Sequence, residues 1–256
     1  MSASPLPPPE RKAAYVEAMF TRIAPVYDRL NTIMTAGLHY RWRRAAVAFC
    51  NLRPGDRALD VATGTADFAL ELARAVGPDG HVAALDFSAG MLEIARRKLA
   101  ARSLLGRISL QRGDALHLPY RDGTFDAATI GFGGRNVTDL LRLFTEMRRV
   151  VRPGGRVVFL ELSRPAHPLF WQVYRWGFCT LAPLLGAIFA GDRRAYTYLP
   201  HSLLHFPSVE EIAELMRRAG LCAVFYRQLT LGLVTVHVGT RPLPSSQATA
   251  SGLYER

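Results

Sequence analysis

Along most of the chain, short apolar runs alternate with longer stretches in which apolar residues return at every third or fourth position, with glycine, proline, asparagine and aspartate between them. The short runs at 57–62, 81–86, 108–113, 125–131 and 156–162 predict strands, and the amphipathic stretches at 66–76, 88–101 and 139–150 predict helices. Strands and helices that alternate in this way imply βαβ units and a parallel sheet. Val151-Arg-Pro-Gly-Gly155 reads as a breaker ahead of the fifth strand. A helix is expected at 208–219, followed by strands at 222–229 and 233–240, close enough through Leu231 and Gly232 to form an antiparallel hairpin. Ahead of the first strand, Tyr15, Met19, Phe20 and Ile23, then a run from His39 to Phe49, predict helices over 11–50.

These elements make a single domain over 11–240, with flexible tails at 1–10 and 241–256. One stretch falls outside the alternation. The insertion at 166–200 contains an apolar segment, 167–190, that approaches the ~20 residues a membrane span needs. Gln172 and Arg175 lie inside it, and Gly177, Pro183 and Gly186 divide it into two short helical pieces. A buried or interfacial helix pair is therefore expected, either packed over the sheet as a lid or offering its apolar surface to a hydrophobic substrate or a bilayer.

The chemistry concentrates where strands end. The first strand runs into Asp60, Gly64 and Thr65, and the second ends at Asp86. A glycine in such a turn lets backbone N–H groups approach a ligand, and a carboxylate closing the next strand can accept both hydroxyl hydrogens of a ribose. Thr65 can equally be a simple helix N-cap. GxGxxG is absent, with Ala62 and Ala66 where glycines would be expected, which argues against a pyrophosphate-bearing dinucleotide. S-adenosylmethionine carries a ribose and an adenine without phosphate and fits these residues better. Phe87 and Met91 can cover its adenine or belong to the core. Asp114, closing the third strand, can accept from the adenine amino group or face solvent, and Glu161 is similarly ambiguous.

Charge and cysteine content narrow the class. The formal net charge is +11, yet only Lys12 and Lys98 among the 32 basic residues are lysines, and no basic block interleaved with aromatics appears. A nucleic-acid partner is not expected on this pattern. Cys50, Cys179 and Cys222 are scattered without a CxxC, against a disulfide framework or zinc site, so no metal is expected. The N-terminal decapeptide has no apolar signal core, and a cytoplasmic location is expected.

Two longer blocks carry a family resemblance. The block 20–44, with Tyr27, Asp28, Asn31 and His39, and Gly131-Phe-Gly-Gly-Arg-Asn-Val-Thr-Asp139 resemble the ubiquinone/menaquinone biosynthesis C-methyltransferases. Residues 160–165 and 196–207 are similar to that family's later signatures. The resemblance implies an α/β fold: the Rossmann-like, seven-stranded sheet of S-adenosylmethionine-dependent methyltransferases, its last strand antiparallel. It also implies that Thr65, Asp86, Asp114, Ala115 and position 131 contact the cofactor. Against the family pattern, Gly131 stands for a common serine, Gly134 for a leucine, Ala66 for a glycine and His201 for a glutamate.

The implied reaction is C-methylation of a prenylated quinol, with demethylmenaquinol ahead of a 2-polyprenyl-6-methoxy-benzoquinol or another small aromatic. A nucleic-acid methyltransferase, which lacks here an Asn-Pro-Pro-Tyr motif, and a non-catalytic cofactor-binding subunit are the rival classes. Arg135 is the candidate cation beside the quinol oxygen, or else a partner of Asp139. Asn136 is a candidate for orienting the ring, and His39, His201 or Tyr27 for the base. Tyr27, Asp28 and Asn31 can instead form a hydrogen-bonded lid. Peripheral membrane contact and self-association are left open.

Overall fold

Apolar strands buried on both faces form the centre of the fold. The computed structural model describes residues 9–165, 171–172, 180, 202–203 and 206–244; the expected insertion, apart from three residues, His201 and the outer tails lie outside the described residues. Five parallel strands, β1 (Arg57–Val61), β2 (His81–Asp86), β3 (Ile108–Arg112), β4 (Phe125–Gly131) and β5 (Val151–Leu162), are joined by β6 (Cys222–Leu229) and β7 (Val234–Thr240). The seven strands lie in the order β3-β2-β1-β4-β5-β7-β6, and β7 runs antiparallel to both its neighbours, as expected.

Side-chain alternation sorts the sheet's two faces. Ala58, Val158 and Leu160 pack with α2 (Leu38–Ala48) and α3 (Asp67–Ala75), whereas Leu59, Val61, Val157 and Phe159 pack with α5 (Leu140–Val150) and α6 (Val209–Arg218). Helix starts follow their capping residues: Ser88 caps α4 (Ala89–Ala100), Asp139 caps α5, and Ser208 with Glu211 makes a capping box on α6. The N-terminal region forms α1 (Pro9–Met34) and α2, separated by a turn in which Gly37 takes φ +75°. Val16, Met19, Ile23 and Ala24 of α1 bury themselves with Met91 of α4. Gly90 makes that approach feasible, because a Cβ there would lie 2.8 Å from Thr21 Cγ2.

The fifth strand begins earlier than the sequence pattern predicts. Val151 already pairs with Phe125 before Arg156 pairs with Ala127, so Pro153, Gly154 and Gly155 form an irregularity inside the strand rather than a break ahead of it. Gly154 takes φ +79°, and a Cβ on Gly155 would lie 2.4 Å from the Asp126 carbonyl oxygen.

Packing also explains a departure from the family pattern. A Cβ at Gly134 would lie 2.4 Å from the ring of Phe159, which is fully buried and edges against Phe144. Phe159 thus occupies space a leucine at 134 would need. Gly134→Leu is expected to cost about 1–3 kcal/mol through overpacking, and Phe159→Leu in the same chain to recover part of that loss. Urea denaturation of the single and double variants measures both effects.

Candidate active site

The chain leaves β1 toward β2 and β3 on one side and returns to β4 on the other, which opens a crevice at the carboxyl ends of the strands. The turn after β1 is tightly wound: Ala62, Gly64 and Ala66 take φ of 52°, 57° and 69°. Left-handed alanines are strained, so the family's glycine at position 66 has a steric reason. Asp60 braces the turn from beneath. It accepts hydrogen bonds from the hydroxyls of Thr63 at 2.6 Å and Thr129 at 3.1 Å, and burial, outweighing those bonds, pushes its carboxyl up to about 7.

Asp86 closes the turn from the side. Its Oδ2 accepts from the Gly64 N–H at 2.7 Å and its Oδ1 from the Ser88 N–H at 2.8 Å. Burial outweighs these bonds and pushes its carboxyl up to about 6. Asp86 and Gly64 border a cavity of about 340 Å³ that continues past Phe87, Met91, Asp114 and Ala115 to Gly131 and Phe132. Asp114 sits at its exposed rim, its two oxygens turned to the Leu116 N–H and the His117 ring.

The other wall comes from α1 and the loop after β4. Phe20 and Tyr27 face the cavity from the helix, Asn136 and Val137 from the loop. Burial raises the Tyr27 hydroxyl above its ordinary pKa, so it is a proton donor at neutral pH. Lys12 of α1 donates to the carbonyls of Arg135 at 3.0 Å and Val137 at 3.1 Å, fastening the helix to the loop.

Several expected residues stand behind this wall. Asp60 and Thr65 do not border the cavity, and the Thr65 hydroxyl donates to Asp28 Oδ1 at 2.6 Å. Arg135 pairs with Glu161 at 2.8 Å and reaches Ser202, with both members of the pair buried. Asp139, the alternative partner, instead caps α5. His39 is buried away from the cavity, and burial together with Arg43 lowers its pKa to about 4. Arg43 can only donate, so His39 Nδ1 accepts from it and Nε2 donates to Thr32 at 3.2 Å; Thr32 in turn donates to the Asp28 carbonyl. In this geometry His39 braces the lid, its one acceptor nitrogen already taken by Arg43 and its ring off the cavity.

Sequence reading did not single out Phe132, Leu116 or the two lysines as parts of the site. For the lysines a signal existed. In a chain that uses arginine nearly everywhere, a lysine marks a place where a compact ammonium is needed.

Residues 9–241 match the ubiE/COQ5 methyltransferase family. The chain belongs to that family. It is 44% identical over 231 residues to a demethylmenaquinone methyltransferase of Desulfitobacterium hafniense, covering 90% of this chain and 91% of that one. Its identity to a demethylmenaquinone methyltransferase of a Roseiflexus species is 45% over 241 residues, covering 94% and 99%. Among solved structures, a Thermotoga maritima S-adenosylmethionine-dependent methyltransferase shares the fold at a TM-score of 0.62 and 22% identity, over 88% of this chain and 98% of that one.

As a ubiE/COQ5 family methyltransferase the chain uses S-adenosylmethionine, and the residues present fit it. Gly64 leaves open space beside the turn, since nothing lies within 4 Å of where its Cβ would be. Asp86 offers a buried acceptor at the cavity edge, and apolar Phe87 and Met91 flank it. At Gly131 the family's serine would need rearrangement, because a Cβ there would lie 2.5 Å from the Phe68 ring.

Three outcomes follow for this family member. Asp86 must be ionised to accept two hydroxyl hydrogens, so cofactor affinity should fall as pH drops below about 6. Without cofactor the sign reverses. A carboxyl raised above its unfolded value contributes stability at low pH that is lost as pH rises through about 6, a dependence that Asp86→Asn should remove. Titration calorimetry and thermal denaturation across pH 5–8 measure the two effects. Arg135→Met leaves Glu161 charged and buried, and should destabilise the fold by about 3–5 kcal/mol, read from urea unfolding.

Proposed function

We propose that this enzyme transfers a methyl group to a ring carbon of a prenylated quinol, demethylmenaquinol, in menaquinone biosynthesis. The reading is carried by near full-length similarity to proteins named demethylmenaquinone methyltransferase, at 40–45% identity. The cavity supports it: apolar Phe20, Phe132 and Val137 offer a wall for an aromatic ring, and Tyr27 and Asn136 are polar groups on the same wall.

S-adenosylmethionine, when bound, supplies an electrophilic methyl. The protein's part is to orient the ring carbon and exclude water, and positioning of that kind is worth up to about 7–11 kcal/mol in favourable cases. Tyr27 stays protonated and donates a hydrogen bond to a quinol oxygen, while the Asn136 amide fixes the ring's rotation. In this reading Arg135 is a positioning residue. Its pairing with Glu161, along with the Lys12 bonds to the neighbouring carbonyls, holds the loop that presents Asn136.

The lipid tail and the net charge of +11 support peripheral contact with an anionic membrane from the cytoplasmic side. No helix among the described residues is long and apolar enough to cross a membrane.

The test is a methyl-labelling assay with purified enzyme. Label is expected in the quinone from demethylmenaquinol, and less from a 2-polyprenyl-6-methoxy-benzoquinol offered alongside. Cofactor binding without label in either quinol would overturn the reading. Tyr27→Phe should lower kcat/KM by about 10–100-fold while leaving cofactor affinity within twofold, consistent with a lost hydrogen bond to charged or developing-charge oxygen.

A further inference from the structure

Lys98 lies outside the cavity lining, yet its ammonium is where three separate elements meet. Nζ is 2.5 Å from Asp28 Oδ2, 2.7 Å from Asp67 Oδ1 and 3.1 Å from Thr65 Oγ1. Asp28 belongs to α1, Thr65 to the turn after β1, Asp67 to the first turn of α3, and Lys98 itself to α4. The Thr65 hydroxyl donates to the second Asp28 oxygen, so both oxygens of that carboxylate are held. An ammonium has three donors at tetrahedral angles, and here three acceptors take them.

Burial makes the arrangement selective. The Lys98 and Asp67 side chains are 12% and 8% exposed. Burial pushes the Asp67 carboxyl up, but Arg43 and Lys98 beside it prevail and hold it below the ordinary carboxylate range, so Asp67 is charged at neutral pH. Asp28 adjoins Tyr27, which faces the cavity, and its carbonyl receives the Thr32 hydroxyl. Asp28, bonded through both carboxylate oxygens to other elements, is thus next to the residue that faces the cavity.

The turn does not depend on this contact. Thr63 donates its N–H to the Leu85 carbonyl at 2.9 Å, Gly64 to Asp86, and the Thr63 hydroxyl to Asp60. Helix α1 has further polar ties, among them Lys12 to the loop carbonyls, Glu17 with Arg112, Thr21 with Ser88 and Thr32 with His39, and Asp28 is what joins it to the turn. We propose that Lys98 is a positioning residue that fastens Asp28 of α1 onto the cofactor turn, setting Tyr27 for the quinol and governing quinol binding rather than cofactor binding. The proposal rests on the quinol reading of the cavity.

Asp28→Asn removes the lid's charge while keeping its shape, and Lys98→Met removes the ammonium. Each should raise the quinol KM at least tenfold, leave cofactor Kd within twofold, and speed amide exchange over 20–34 at least tenfold with β1 and β2 unchanged. The double variant should be no worse than the poorer single, and Lys98→Arg should recover part of the loss. Unchanged exchange over 20–34, or cofactor affinity falling in step with quinol affinity, would overturn the proposal. If Lys98→Met does not fold, Asp28→Asn decides alone. Should the unmutated enzyme fail to methylate demethylmenaquinol, the substrate reading falls, while amide exchange and cofactor Kd still decide the fastening.

Discussion

The hydrogen bond from the Gly64 N–H to Asp86 joins the ends of two neighbouring parallel strands, and the site is arranged around it. Parallel strands carry their carboxyl ends to one edge, so a turn leaving β1 and a side chain ending β2 meet there without any long-range accident. The cost is a carboxylate taken out of water, visible in its raised pKa. Asp60 repeats the device one strand over, spending its oxygens on Thr63 and Thr129 and so tying the turn to β4. Two buried carboxylates thus hold a strained turn open, where an apolar core would have let it collapse.

Around this rigid edge the substrate side is assembled from parts remote in sequence. Helix α1 contributes Phe20 and Tyr27 to the cavity wall, and its polar ties reach α2, α4, β3, the turn after β1 and the loop after β4. Arg135 with Glu161 and Lys98 with Asp28 are contacts between elements rather than within them. Charges placed off the cavity in this way shape it without meeting the ligand. The buried ones are costly to unpair, which favours a single geometry over several.

Across the described residues the alternation of strands and helices is legible because it is a local pattern, and so are the strand-end residues Gly64, Asp86 and Asp114. The start of β5 is not. Pro153 to Gly155 carry every mark of a break, and only pairing with β4 turns that break into an irregularity within one strand. Arg135 was placed on the right loop, but its partner depends on β4 and β5 lying side by side, a fact with no sequence signal of its own. The partners of His39 and Thr65, the Thr32 hydroxyl and the Asp28 carboxylate, come from helix α1 and carry no local sequence signal. Gly134 was readable as a departure from a pattern, whereas its cause, the Phe159 ring, became visible only through packing.

The near-absence of lysine has a consequence for the molecule's surface. With Lys12 and Lys98 both committed to holding α1, essentially all the solvent-facing positive charge is guanidinium. Guanidinium keeps its proton up to about pH 12, so the basic side of the surface charge does not titrate where the ammonium groups of a lysine-rich surface begin to lose theirs. The arginine contribution to the protein's field is therefore nearly independent of alkalinity, and the attraction it exerts responds instead to ionic strength.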